Sequence, residues 1–217
     1  MKHPLIAFEY CPRCGSHNFA INGERSRHCS DCGFTYYANA SAATAAIITN
    51  SKSEILLATR AFEPAKGKLD LPGGFVDMNE TAEEALIREL KEELNIDVRN
   101  PQYLFSIPNE YNFSGITVHT LDMFFKIEVN DDIQIQTNDD VASAQFYDLK
   151  IVNTEDIGLN SIKKAINKLK VCRDAACCVL SATRLISPEK QSVPEYPEYP
   201  EYPDYPQHPS PKGTNHT

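Results

Sequence analysis

Four cysteines within the first 32 residues, spaced as Cys11-x-x-Cys14 and Cys29-x-x-Cys32, constrain this chain more than any other feature. A C-x-x-C segment bends so that both thiolates face one point, and the glycine that follows each pair, Gly15 and Gly33, supplies the φ > 0 that the turn needs. Two such knuckles, 14 residues apart, close a tetrahedral site of four thiolates around Zn²⁺, with no position left open for chemistry. His17 and His28 lie nearby, but a complete cysteine set makes them unnecessary. The chain has seven cysteines, an odd number that would strand a thiol under oxidising conditions. A reducing compartment and a metal site are the economical reading.

The rest of the composition narrows the class. With 21 Lys+Arg against 30 Asp+Glu, the formal charge is −9, opposite to the basic excess of most nucleic-acid binders. Hydrophobic residues make up 41% and charged residues 24%, enough for a packed core. No apolar run approaches the roughly 20 residues that span a bilayer, and no secretory signal opens the chain. A cytoplasmic protein with no membrane association is expected. The 217 residues allow one domain with appendages. Residues 1–37 are Cys-rich and polar, 38–171 alternate strand-like and helix-like patterns, 172–186 form a C-terminal extension, and 187–217 are Pro-rich. Within that tail, Glu195–Pro206 reads EYPEYPEYPDYP, which cannot sustain a helix or central strand and is expected to be disordered and polyproline-II-like. The tail holds five acidic and two basic residues, so it carries −3 of the charge. Cys172, Cys177 and Cys178 have no assigned role.

In the middle segment, Ala42–Thr49 and Ile55–Thr59 read as strands joined by a turn at Asn50–Ser53. Leu69–Val76 reads as a short strand broken by Pro72-Gly73-Gly74. Thr81 to Leu94 has helical periodicity through Leu86, Leu90 and Leu94, with Asn79 or Thr81 as its cap. Tyr103–Ile107, Ile116–Val129 and Ala144–Asp148 read as further strands, and Ser161–Val171 as an amphipathic helix. The fold class is α+β, with a mixed sheet between helices. Glu89, Glu92 and Glu93 share one face of the first helix, beside the small residues Ala82 and Ala85. Alone, such a face is what many solvated helices carry.

It is not alone. From Gly74, five residues lead to Glu80 and seven more to Arg88-Glu89-Leu90-Lys91-Glu92-Glu93-Leu94-Asn95-Ile96. This resembles the Nudix box, G-x5-E-x7-R-E-U-x-E-E-x-G-U, at eight of its nine specified positions. The departure is Asn95 where the family has glycine, and asparagine is the next-best residue for a left-handed helix end. The resemblance implies a Nudix-type α/β/α sandwich and metal-dependent hydrolysis of a diphosphate linkage. Divalent cations bridge phosphate oxygens and lower the pKa of bound water, and Mg²⁺ (or Mn²⁺) takes hard oxygen ligands. By resemblance, Glu89, Glu92 and Glu93 hold the metal, with a backbone carbonyl near Gly73–Gly74, and Arg88 pairs with Glu80. A further acid from a downstream loop is common in the family. Asp140, beside Asp139, is the candidate, with Asp131 and Asp132 as rivals.

Residues 1–37 resemble a zinc ribbon, and Phe34–Asn39 (FTYYAN) resembles the link from ribbon to Nudix domain in NADH-pyrophosphatase-like proteins. That branch carries S-Q-P-W-P-F-P-x-S after the box. This chain has no tryptophan, and the stretch reads Ser106-Ile107-Pro108-Asn109-Glu110-Tyr111-Asn112-Phe113. ADP-ribose or a nucleotide sugar is therefore expected in preference to NADH, with Tyr111 available to stack on a base and Arg60 to reach a phosphate. The alternative is a nucleotide-sensing regulator whose ribbon binds nucleic acid or a partner. The ribbon's net charge is only +1, so nucleic acid is disfavoured, and a ribbon that forms a homodimer remains open.

Overall fold

The computed structural model describes residues 3–138 and 140–171. Asp139, the 172–186 extension with Cys172, Cys177 and Cys178, and the 187–217 tail lie outside the described residues.

Three short strands follow the first cysteine pair: β1 (Phe19–Ile21), β2 (Ser26–Cys29) and β3 (Thr35–Tyr37). They form an antiparallel sheet in that order. The core of this segment is Cys11, Phe19 and Cys29, with Cys32 and Phe34 packed against it. One buried phenylalanine is too little apolar surface to hold a sheet by burial alone, so the cysteines must supply the rest.

The second sheet is built from β4 (Ser41–Thr49), β5 (Ile55–Arg60), β6 (Leu69–Asp70), β7 (Gln102–Phe113), β8 (Ile116–Glu128) and β9 (Val141–Tyr147). Its order is β6-β5-β4-β8-β7, with β9 paired to β5. β4 runs parallel to β8, while β7–β8 and β5–β9 are antiparallel, so the sheet is mixed. Two helices cover it: α1 (Ala82–Leu94) and α2 (Asn160–Val171). Successive residues of β4 point to opposite faces. Ala45 and Ile47 join the core containing Ile162, Ala165, Ile166 and Leu169 of α2, while Ala46 and Ile48 join that of Leu86, Leu90 and Leu94 of α1. A strand buried on both faces reads as a continuous apolar run, which is why Ala45–Ile48 shows no alternation.

The strand expected over Ala144–Asp148 runs over Val141–Tyr147, and two other strand readings change further. The expected strand Leu69–Val76 pairs in the ladder only over Leu69–Asp70. Pro72 has no N–H to give and Gly73 takes φ +137°, so the chain leaves the ladder as a loop. That loop docks on β4: Thr44 and Ala46 donate their N–H groups to the carbonyls of Gly74 and Pro72, both at 2.8 Å. The strand expected to end at Ile107 continues to Phe113, because β8 offers it partners throughout. Pairing overrides the poor strand propensity of Pro108, Asn109 and Glu110.

Candidate active site and metal centre

The cysteine cluster is the simpler of the two sites. The four Sγ atoms all lie within 4.8 Å of one another, with Cys11–Cys32 and Cys14–Cys29 each at 3.7 Å. None is in a disulfide, which would need about 2.05 Å. A tetrahedron with metal–sulfur bonds of about 2.3 Å has edges of about 3.8 Å, so the spacing fits a closed four-thiolate metal site. Gly15 and Gly33 take φ +74° and +73°, and their N–H groups close the turns onto the carbonyls of Cys11 and Cys29. Burial opposes ionisation of Cys11, but the backbone N–H groups of Cys14 and Arg13 outweigh it and lower the thiol to about 7. Cys14 is pushed up to about 12 and Cys32 is raised, the neighbouring thiols contributing to both shifts. One thiolate therefore forms readily in the metal-free cluster, and a bound cation would be needed to hold all four.

The carboxylate site begins with how α1 is started and stopped. Thr81 caps the helix in a reciprocal box with Glu84, and Glu83 and Glu84 complement the positive end of the dipole. Asn95 closes the helix in the left-handed conformation at φ 54°, doing what glycine would do. Between these ends Arg88 is the hub. Its Nε and Nη2 donate to the two oxygens of Glu80 at 2.9 and 3.0 Å, and Nη2 also reaches the Phe75 carbonyl at 3.1 Å. Its Nη1 donates to Glu89 at 2.8 Å and Glu92 at 3.2 Å. The hydrogen bonds from Glu80 and Glu89 raise the guanidinium pKa, and the Arg88 bond, with the N–H of Asp77, lowers that of Glu80. A two-pronged pair of this kind fixes orientation as well as distance.

Glu93 stands apart from the hub. It accepts the Gly73 N–H at 3.0 Å, and burial pushes its carboxyl up to about 8, against that bond and with the charges of Glu89, Asp70 and Asp140 adding. Burial likewise raises Glu89, despite its bond to Arg88. Gly74 is where the loop passes closest to the helix. A Cβ there would overlap the Glu89 carboxylate, and one on Gly73 would overlap the Thr44 carbonyl. The expected metal-ligating carbonyl of Gly74 accepts from Thr44. Among the described residues, only the four cysteines gather three or more potential metal-ligand side chains within 4.8 Å of one another. The glutamates are instead tied to Arg88 and Gly73. Three hard-oxygen donors, two of them raised by burial, are the donor chemistry that a small divalent cation takes.

Beside this helix lies a cavity of about 190 Å³. It brings together Arg60, Gly74, Glu93, Tyr111 and Asp140, drawn from far apart in the sequence. Glu80, Arg88, Glu89 and Glu92 do not line it. Arg60 is already engaged: its Nε donates to the Pro64 carbonyl at 2.7 Å and its Nη1 pairs with buried Asp70 at 2.6 Å. The rivals to Asp140 lie elsewhere. Asp131 accepts the Ser51 N–H at 3.0 Å, and Asp132 lines a separate, larger hollow of about 480 Å³ with Arg99 and Lys126. That hollow contains none of the α1 carboxylates.

Asp70, Asn109, Thr120 and Asp122 also line the cavity and carried no expectation. Asp122 accepts from the hydroxyls of Thr120 and Ser161, both at 2.5 Å. Burial raises Asp70 against the pull of Arg60. Burial raises the Tyr111 phenol, helped by the charge of Asp122. The available signal was an aspartate set between apolar neighbours, as in Leu69-Asp70-Leu71 and Leu121-Asp122-Met123.

The NUDIX domain family model matches residues 39–168. Among curated proteins, the chain is 39% identical over 97 residues to the NAD-capped RNA hydrolase NudC of Pseudomonas fluorescens, covering 45% of this chain and 34% of that protein. It is 27% identical over 140 residues to the protein of the same name in Pseudomonas aeruginosa, covering 64% of this chain and 48% of that one. The chain thus spans between a third and a half of these relatives. A NUDIX hydrolase structure from Nitrosomonas europaea shares the fold, with a TM-score of 0.57 at 24% identity over 72% of this chain and 87% of that one. No described helix is long and apolar enough to cross a membrane.

The expected preference for ADP-ribose or nucleotide sugars over NADH is overturned, because these relatives are named for NAD-capped RNA. That expectation rested on the absence of one contiguous stretch. The cavity is assembled from residues on several strands, so a missing local signature does not set what it accepts.

Proposed function

Because the chain belongs to the NUDIX family, with the match covering residues 39–168, we propose that it hydrolyses the diphosphate bond of a nicotinamide adenine dinucleotide, free or as the cap of an RNA. The observation that carries this reading is the junction of α1 with the Pro72–Phe75 loop. There Arg88 locks Glu80 to the Phe75 carbonyl, and Glu93, which lines the cavity, accepts from the N–H of Gly73. The relatives' name supports the dinucleotide.

Glu89, Glu92 and Glu93 would hold Mg²⁺ or Mn²⁺, which supplies Lewis-acid neutralisation of the diphosphate and acidifies a bound water. Of the three, only Glu93 also lines the cavity, so it marks the end of the site where the anhydride is attacked. Arg88 does not contact the cavity. Its role is to fix Glu80, Glu89 and the loop carbonyl in one arrangement, so that the carboxylates do not reorganise during the reaction. Asp140 lines the same cavity as Glu93, its charge adds to the rise in the Glu93 carboxyl, and it is the downstream acid of this reading. The Tyr111 phenol stays protonated over the working pH range and offers a donor to substrate. In the ribbon, Cys11, Cys14, Cys29 and Cys32 hold Zn²⁺ in a structural role.

The test is product analysis with Mg²⁺ or Mn²⁺ on NAD⁺, NADH and a 5′-NAD RNA. Cleavage of the central anhydride gives AMP and the nicotinamide mononucleotide from the free dinucleotides, and nicotinamide mononucleotide with 5′-monophosphorylated RNA from the capped RNA. Intact substrate in all three reactions, with metal-replete and correctly folded protein, overturns the proposal.

A further inference from the structure

The cavity wall away from α1 contains a polar atom that nothing among the described residues satisfies. Asn109 is 8% exposed, lines the cavity from β7, and its Oδ1 is buried without a hydrogen-bond partner. An orphaned buried acceptor forfeits its hydration without compensation, so its retention calls for a ligand donor. Its surroundings narrow that donor. Asp122, 6% exposed, presents a carboxylate whose oxygens accept from Thr120 and Ser161. Arg60 is neutralised by Asp70 and braced by the Pro64 carbonyl. Acceptors therefore dominate this wall, and among the described residues that line it Arg60 is the one cation and is already paired. A phosphate is repelled from it. A neutral, flat group bearing N–H donors fits it, with the Tyr111 ring beside it.

We propose that Asn109 is the specificity-determining residue of this cavity, its Oδ1 accepting an N–H from the amino or carboxamide group of a substrate heterocycle. Asp122, held by Thr120 and Ser161, sets the acceptor character of the wall and excludes anionic rings. The proposal rests on the dinucleotide reading above and sharpens it. The diphosphate lies towards Glu93, and one ring lies towards Asn109. Two rings of that substrate carry the required donor: nicotinamide through its carboxamide and adenine through its amino group.

Two analogues separate these sources. Nicotinic acid adenine dinucleotide replaces the carboxamide with a carboxylate. Nicotinamide hypoxanthine dinucleotide replaces the amino group with a carbonyl. Each analogue sets an acceptor against Oδ1. We expect wild-type protein to discriminate by about tenfold or more in kcat/KM against one analogue, since a site built around a hydrogen bond rejects a ligand lacking it strongly. In Asn109→Ala that discrimination collapses, because kcat/KM for NAD⁺ falls towards that of the rejected analogue. Loss against the carboxylate analogue assigns the pocket to nicotinamide, and loss against the hypoxanthine analogue assigns it to adenine. Turnover without discrimination, or discrimination that survives Asn109→Ala, overturns the assignment and leaves the hydrolase reading standing. If no dinucleotide is turned over, the hydrolase reading fails. Binding of NMN against its acid form and AMP against IMP still decides Asn109, with discrimination lost in Asn109→Ala supporting it and equal affinities overturning it.

Discussion

The Gly73 N–H donates to the Glu93 carboxylate at 3.0 Å, joining a loop to a helix twenty residues further along the chain. This bond makes Glu93 both a part of the site and a strut between two elements. The carboxyl is held at about 8, chiefly by burial, against an ordinary value of 4.5. The folded protein therefore holds this proton more tightly than the unfolded chain does. Its contribution to stability is fully present below pH 4.5 and is lost as pH rises through about 8. At about 1.36 kcal/mol per pKa unit, the loss in metal-free protein is on the order of 3–5 kcal/mol. Urea midpoints of chelator-treated wild type should fall between pH 5 and pH 8.5, and those of Glu93→Gln should fall much less. With Mg²⁺ present, the same variant should lose about 10²–10³ in kcat. Parallel pH profiles for the two proteins would contradict the burial of this charge.

Arg88→Lys keeps the charge but loses the fork that grips Glu80, Glu89 and the Phe75 carbonyl. A lysine cannot reproduce bidentate geometry. Turnover or metal affinity should fall roughly 10–100-fold, as for other residues that orient ligands. Glu80→Gln, which keeps one acceptor, should cost less. Steady-state rates across a metal titration distinguish the two losses.

Gly74→Ala places a methyl group where the Glu89 carboxylate sits. The carboxylate or the loop must shift, and a displacement near 1 Å can cost about 10²-fold in rate. The expected result is a large fall in kcat with a far-UV spectrum unchanged from wild type.

Cys11→Ser should take bound zinc from one equivalent per chain to none, read by elemental analysis of protein purified without chelator. Metal binding and folding of so small a sheet are one event. Amide protection over residues 19–37 should be lost while that of β4 and β8 persists. Zinc-free wild type with a folded ribbon would refute the assignment.

Asn95→Gly tests the helix end. Asn95 sits at φ 54°, which costs glycine nothing. Its Nδ2 bond to Gln136 is solvent-exposed and worth little. The variant should unfold in urea at or slightly above the wild-type midpoint, the relieved left-handed strain being offset by the greater freedom of glycine in the unfolded chain.

Sequence reasoning reached the parts of this site that are local. The spacing from Gly74 to Glu93 lies within one loop and one helix, so the resemblance it carries implied the Arg88–Glu80 pair, and the left-handed preference of asparagine implied the turn at Asn95. The cysteine cluster was readable for the same reason. The cavity was not. Asp70, Asn109 and Asp122 come from three strands, and their proximity depends on the β4–β8 and β7–β8 pairings. No local pattern distinguishes a strand asparagine that faces a cavity from one that faces solvent. The length of β7 was hidden likewise, because a partner strand decided it rather than its own residues.

β4 carries a consequence for how this protein can fail. Its alternate side chains serve two cores, and its alternate amides serve two neighbours, with Thr44 and Ala46 donating to the Pro72–Gly74 loop. A slip of one residue against β8 would exchange both sets at once. It would bury the wrong methyl groups on each face and turn the loop's anchoring donors away. Misregistered chains are thus disarmed as well as destabilised. Quality control that detects exposed core would remove the inactive molecules too.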